Sequence, residues 1–252
     1  TQAITLTGNF LPGTTRNSLT ISRSPVVQYA KTLSYLLGYP HGCTEQTISK
    51  AFPQLYFADL TKTVQQGTVY FVRNDASDYN PATNIQQALQ QIENRQLFNG
   101  GATLWPGFNV EDVWTTAYAL HFMVEAEKAG FEVTAPVKSK LIDRLTTLTG
   151  TNRTETQSVF AEDGTRTDRT VASRTNLYGL YVLALAEKPN RAAMSFYKES
   201  AATLLTNDGR YLLATTYAHL GDQAGSASLL PKQFADGMTG RETGDSYASP
   251  IR

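Results

Sequence analysis

The sequence predicts a mainly α protein of tandem helical hairpins, which stack as a solenoid or close into an α/α toroid, behind a short β segment at the N-terminus. Three observations carry this reading. Apolar residues recur at three- and four-residue spacing from Pro25 to Leu230, the period of helices with a buried face. Thr115, Tyr118, Leu120, Ala126, Glu127 and Lys128 return sixty positions later as Thr175, Tyr178, Leu180, Ala186, Glu187 and Lys188, with a weaker echo in Tyr211–Leu220. Shared helix composition is one account of those matches; the other is a repeat whose units bury their apolar faces against each other. Before Ser24, by contrast, Ile4, Leu6, Leu19 and Ile21 alternate with Thr and Ser among turn-forming Gly8-Asn9 and Pro12-Gly13, which is strand chemistry.

The elements follow in order. Residues 1–23 read as the end of a preceding β domain or a linker, and 24–252 as one helical domain. Ser24-Pro25 supplies an N-cap and a first-turn proline, Val26, Tyr29, Leu33 and Leu36-Leu37 continue the helix, and Gly38 ends it. Further helices are expected at about Cys43–Leu60, Pro81–Gln96, Glu111–Ala129, Ala135–Leu148, Ala172–Glu187, Asn190–Leu205, Asp208–Leu220 and Asp222–Leu230. The piece from Val64 to Arg73 reads as a hairpin arm or exposed loop. Gly150–Arg169 and Gln233–Ser249, polar and without periodicity, read as loops. Gly100 to Pro106 reads as a turn between hairpins, with Trp105 as a packing anchor.

Composition narrows the function classes. With 252 residues the chain is one large domain or two small ones. Twenty-two basic and twenty-two acidic residues cancel, so the basic excess of a nucleic-acid footprint is absent. No apolar run reaches the ~20 residues that span a bilayer, and Thr1–Phe10 shows no targeting segment. Without an initiator Met, and stopping at Pro250-Ile251-Arg252, the chain reads as an excised piece of something longer. A single cysteine, Cys43, excludes an internal disulfide framework. Three scattered histidines, His41, His121 and His219, make no zinc pair. Neither a metal nor a cofactor is expected.

One segment carries chemistry: Tyr39-Pro40-His41-Gly42-Cys43-Thr44-Glu45-Gln46-Thr47. Cys43 and Gln46, at i and i+3, approach each other on a helical turn, with Cβ atoms roughly 5–6 Å apart. A thiol so placed can attack the Gln side-chain carbonyl, expel ammonia and close a thioester. Pro40 fixes φ and Gly42 lacks a Cβ, which suits a tight bend. The helix N-terminus favours a thiolate and so makes Cys43 a better leaving group. The alternative is an ordinary buried cysteine beside a helix first turn that favours Glu45 and Gln46 in any case.

With its flanks, including Thr47 and Phe52-Pro53, this segment resembles the thioester segment of the alpha-2-macroglobulin family. Thr44 between Cys43 and Glu45 is closer to bacterial than to animal or complement members. Gly100-Gly101, Trp105-Pro106-Gly107 and Asp112-Val113-Trp114-Thr115-Thr116-Ala117-Tyr118-Ala119-Leu120 resemble the second signature of the same family. The resemblance implies a thioester domain with an α/α-toroid fold, preceded by the end of a β domain. It implies as parent a large, single-use protease inhibitor, not an enzyme, that captures attacking proteases covalently once a bait segment is cut. Cys43 is then the thioester sulfur and Gln46 the acyl donor, with Tyr39, Pro40, Gly42 and Glu45 as supporting motif. The partners implied are target proteases, joined through lysine amines, and neighbouring domains of the same chain. A periplasmic or cell-envelope location follows, with a lipid anchor on the full-length protein. No bait region is recognisable, and about nine helices are legible where a ring of six hairpins needs twelve, so the toroid reads as incomplete.

Trp105, Trp114, Tyr118, Tyr35, Tyr39 and Tyr56 are candidates to shield a thioester from water, with ordinary helix packing as the alternative. His41 and His121 are candidates to assist the acyl transfer. The competing functional readings are an α/α-toroid enzyme of glycoside hydrolase or cyclase type, and a helical-repeat interaction module with a structural cysteine. The cyclase reading lacks its acidic cluster. The hydrolase reading lacks a supported pair of facing carboxylates.

Overall fold

The computed structural model describes residues 42–56, 80–151, 154–160 and 165–230. The expected β segment at 1–23, the helix from Pro25, the residues Tyr35, Tyr39, Pro40 and His41, the Val64–Arg73 piece and the Gln233–Ser249 loop lie outside them.

Among the described residues the chain forms eight α-helices: α1 (Thr44–Tyr56), α2 (Pro81–Asn94), α3 (Val113–Lys128), α4 (Ala135–Thr151), α5 (Arg174–Leu185), α6 (Arg191–Ser195), α7 (Asn207–His219) and α8 (Gln223–Leu229). Six start on a side-chain cap. Asn80, Asp112, Ser173, Asn190, Thr206 and Asp222 each accept from an amide of the first turn, which stabilises a helix end by about 1 kcal/mol. Three helices also stop alike. After α3, α5 and α7 the amides of Phe131, Lys188 and Asp222 reach back to the carbonyls of Ala126, Leu183 and Tyr217. That closure needs a left-handed residue, supplied by Gly130, Glu187 and Gly221.

Helices α1, α3, α5 and α7 pack on one another in succession as an inner row. Outside them α2 packs on α1 and α3, α4 on α3 and α5, α6 on α4, and α8 on α7. This is the arrangement of an α/α toroid. The sixty-residue repeat thus falls on adjacent inner helices, α3 and α5. One apolar cluster runs from Ile48 and Ile85 through Leu120, Phe122 and Leu141 to Leu183. A second runs from Leu177 and Leu180 through Met194 and Tyr197 to Leu213 and Leu229. Among the described residues no helix is long and apolar enough to cross a membrane.

Three expectations are corrected. Gly150–Arg169 is not a loop: α4 runs on to Thr151, and Thr154–Phe160 (β1) pairs antiparallel with Arg166–Ala172 (β2). From Arg166 to Thr170 the second strand is exposed on both faces, so no alternation of apolar residues marked it. Asn190–Leu205 is not one helix. After α6 the chain widens into a π turn at Phe196–Ser200 and tightens into a 3-10 turn at Ala202–Leu204. The wide turn accompanies full burial of Tyr197, whose hydroxyl accepts from Asn176 Nδ2 at 2.8 Å. Trp105 is not a packing anchor, for 46% of it is exposed.

The turn between α2 and α3 holds its shape by other means. Gln96 bridges to Ala102 and Thr103 to Glu111, and Arg144 Nε donates to Glu111 Oε1 at 2.8 Å. A Cβ on Gly101 would sit 2.0 Å from that same oxygen, so a larger residue there would push the Glu111 carboxylate out of its place against Arg144.

Candidate functional site

Cys43 stands at the N-cap of α1. Its carbonyl accepts the Thr47 amide at 3.0 Å, and its Sγ accepts the Gln46 amide at 3.4 Å. The sulfur thus occupies the place that Asp, Asn, Ser or Thr oxygens take at the other helix starts. Cys43 and Gln46 together have the spacing of a capping box, in which the Gln at the third position turns its side chain back toward the cap residue. Cys43 is only 4% exposed. The Gln46 Oε1 atom is buried and has no hydrogen-bond partner among the described residues, an arrangement that costs about 1–3 kcal/mol in an ordinary protein.

The turn is fastened to the α2–α3 connection. Thr44 N–H donates to the Leu104 carbonyl at 2.8 Å, and Thr44 Oγ1 donates to the Thr103 carbonyl at 2.6 Å. Arg95, the C-cap of α2, donates from Nη1 to Thr44 Oγ1 at 3.2 Å and from Nη2 to Gln91 Oε1 at 2.8 Å. Thr47 Oγ1 donates to that same Gln91 oxygen at 3.2 Å. Burial lowers the Arg95 pKa, while its charge interaction with Cys43 acts the opposite way. Arg95, Gln91 and Thr103 were not legible as site residues. Arg95 lies 51 positions from Thr44, and only the fold brings them together.

On the other side, Ser49 Oγ donates to Glu45 Oε1 at 2.8 Å and lies 3.2 Å from the Tyr118 hydroxyl. Burial pushes the Tyr118 phenol up, so it stays protonated. Tyr118 stacks between Trp114 at 6.1 Å and Phe52 at 5.7 Å. Of the candidate shielding residues, Tyr118 therefore joins the motif helix directly. Trp114 continues the stack to Tyr178 at 4.8 Å while keeping 41% of its surface exposed. Trp105 is outside this stack. Tyr56 is at the far end of α1, its hydroxyl donating to Glu125 Oε2 at 2.6 Å.

His121 sits further down the same stack. Its ring meets Phe52 edge-on at 5.0 Å, six residues or about 9 Å of helix rise beyond Gln46. Its Nδ1 is 2.8 Å from the Tyr178 hydroxyl. Burial raises the Tyr178 pKa and lowers that of His121, so a neutral phenol meets a neutral imidazole. The unfolded chain takes up a proton near the ordinary histidine pKa of ~6.5, which the folded chain resists. Stability is therefore complete above that value and falls as the pH drops through it toward the depressed folded pKa. We expect the melting temperature to fall more between pH 7 and pH 5 in the wild-type chain than in His121→Gln, as read by circular dichroism. Among the described residues no group of three His, Cys, Asp or Glu is placed to hold a metal ion.

An α/α toroid with a buried C-x-E-Q turn at the start of an inner helix defines the class of the thioester domains. The model of the A-macroglobulin TED domain matches residues 17–214, and the chain belongs to that family. Alpha-2-macroglobulin of Escherichia coli is 32% identical over 137 residues, covering 54% of this chain and 8% of that protein. Its counterpart in Xylella fastidiosa is 28% identical over 144 residues, covering 56% and 8%. The cryo-EM structure of E. coli alpha-2-macroglobulin in its native conformation superposes with a TM-score of 0.59 at 21% identity, covering 81% of this chain and 12% of that one. The crystal structure of Salmonella alpha-2-macroglobulin reacted with methylamine gives 0.58 at 21%, covering 84% and 13%. The matched part of the chain thus spans 8% of the length of these two curated relatives.

Proposed function

We propose that Cys43 and Gln46 form an internal thioester, and that this domain is the covalent arm of a larger protease inhibitor. The observation that carries the reading is the turn itself. A buried sulfur accepts the backbone amide of Gln46 at 3.4 Å, and the side-chain oxygen of that same Gln is buried with no partner among the described residues. Closure is attack of Cys43 Sγ on Gln46 Cδ; the C–N bond breaks and the amide nitrogen leaves as ammonia with the thiol proton. Opening is attack by an amine on the same carbon. The C–S bond then breaks, its electron pair goes to sulfur, and the proton lost by the amine restores the thiol.

In the longer protein the nucleophiles are lysines of an attacking protease, brought near when a bait segment is cut. The chemistry is spent once per molecule, so the protein is an inhibitor and not an enzyme. The bacterial alpha-2-macroglobulins among its relatives support a periplasmic or cell-envelope setting, with neighbouring domains of the same chain around the site. Glu45 belongs to the motif and is bonded to Ser49; it is given no step. The test is intact mass of the full-length parent, purified gently. A molecule lighter than its sequence by one ammonia, which methylamine converts to a Gln46 methylamide with one free thiol, supports the reading. An untouched Gln46 amide overturns it.

A further inference from the structure

Arg95 is a half-buried cation with no carboxylate paired to it among the described residues. Its guanidinium is occupied by two neutral oxygens, Thr44 Oγ1 and Gln91 Oε1, and Thr44 is the residue next to Cys43. The other described acidic and phenolic groups near the turn are already engaged. Glu45 accepts from Ser49, Tyr118 lies beside Ser49, and Glu111 is held by Arg144. A guanidinium brought this far out of water without a counter-ion is unfavourable. An anion that arises only during the reaction changes that balance.

We propose that Arg95 is a positioning residue for the thioester: it locks the Cys43–Gln46 turn through Thr44 and Gln91, and its charge stabilises the sulfur anion released when the acyl group leaves. The inference rests on the thioester reading. In the closed bond sulfur is neutral, and Arg95 only holds the turn. As the amine attacks Gln46 Cδ and the C–S electron pair moves to sulfur, negative charge grows on the residue next to Thr44, which the guanidinium holds. Charge stabilised at that stage speeds opening. The charge interaction between Arg95 and Cys43 agrees with this placement.

The test follows the Cys43 thiol of the full-length parent after methylamine opening, by its rate of alkylation with iodoacetamide across pH. Arg95→Gln should slow both this alkylation near neutral pH and methylamine opening several-fold, and Arg95→Lys should recover most of both. A merely structural role moves neither the alkylation rate nor its recovery by lysine. The thiol measurement needs no closed ring, so it reads Arg95→Gln even if that variant never forms the thioester. If Arg95→Gln does not fold, the wild-type protein decides: alkylation that rises as steeply between pH 7 and pH 9 as that of a free cysteine overturns the proposal. So does an Arg95→Gln thiol that is alkylated at the wild-type rate. Absence of ammonia loss in the wild-type mass defeats the thioester reading separately, and the alkylation of Cys43 still tests Arg95.

Discussion

Cys43→Ala is expected to abolish methylamine incorporation at Gln46 in the full-length parent while leaving the fold in place. Without sulfur the Gln46 carbonyl remains an ordinary amide, and amines do not displace ammonia from one at a useful rate. The fold survives because the loss is small: one buried side chain and its cap on the Gln46 amide, a change of about 1 kcal/mol. Cys43→Ser separates the two effects. Its hydroxyl restores the cap but is a far weaker nucleophile, so stability returns and labelling does not. Radiolabelled methylamine counts and a thermal melt of each variant check this. Labelling that persists in Cys43→Ala would show that the sulfur does not activate Gln46.

Methylamine is expected to outcompete glycerol for the proposed thioester, with a lead that widens with pH. In hydroxyl-preferring complement proteins, which the sequence resembles more distantly, a histidine ahead of a later helix relays the acyl group. The stretch that the internal repeat would set there, Asp163 to Val171, contains no histidine, and Arg166 to Thr170 within it form the exposed part of a strand. His121 is engaged with Tyr178 beside Phe52. Direct attack therefore favours amines over neutral alcohols. The deprotonated fraction of an amine with a pKa of ~10.4 rises roughly a hundredfold between pH 7 and pH 9, and the methylamide rate should follow it while the glycerol rate changes little. Product ratios by mass spectrometry, repeated with His41→Ala and His121→Ala, check it. Dominant glycerol ester that disappears in one of those variants would reverse the conclusion and identify the imidazole responsible.

The inner helices were legible because their rows of apolar residues are long and begin on good caps: Asp112 before α3 and Ser173 before α5 mark their starts within two residues of expectation. The β-hairpin was not, because its second strand buries only Val171 and Ala172. What holds it is ladder pairing, with polar cross-strand contacts such as Ser158 to Asp168 at 2.7 Å, and polar pairs leave no hydrophobic period to read. The break after Ser195 was hidden for the opposite reason. Phe196 and Tyr197 keep helical spacing, while burial of Tyr197 against Asn176 sets a wider turn. At the site, Cys43 and Gln46 were legible because they are local, three residues apart. Arg95 and Thr103 reach Thr44 from 51 and 59 positions away, and nothing in either segment announces the meeting. Tyr118 was suspected as an aromatic, but its contact with Ser49 depends on α1 and α3 lying side by side.

The fastening of Thr44 to Thr103 and Leu104 has a kinetic consequence. The first amides of a helix have no partners within it, so helix ends ordinarily fray on their own, on nanosecond timescales. At α1 the Thr44 amide and hydroxyl are both spoken for by another segment, which is itself bridged to residues 96 and 111. Unwinding this end therefore requires the α2–α3 connection to detach as well, a cooperative opening that is rarer and slower than fraying. The lifetime of the Cys43–Gln46 geometry is set by that joint event, so the turn keeps time with the body of the domain and not with the tip of its own helix.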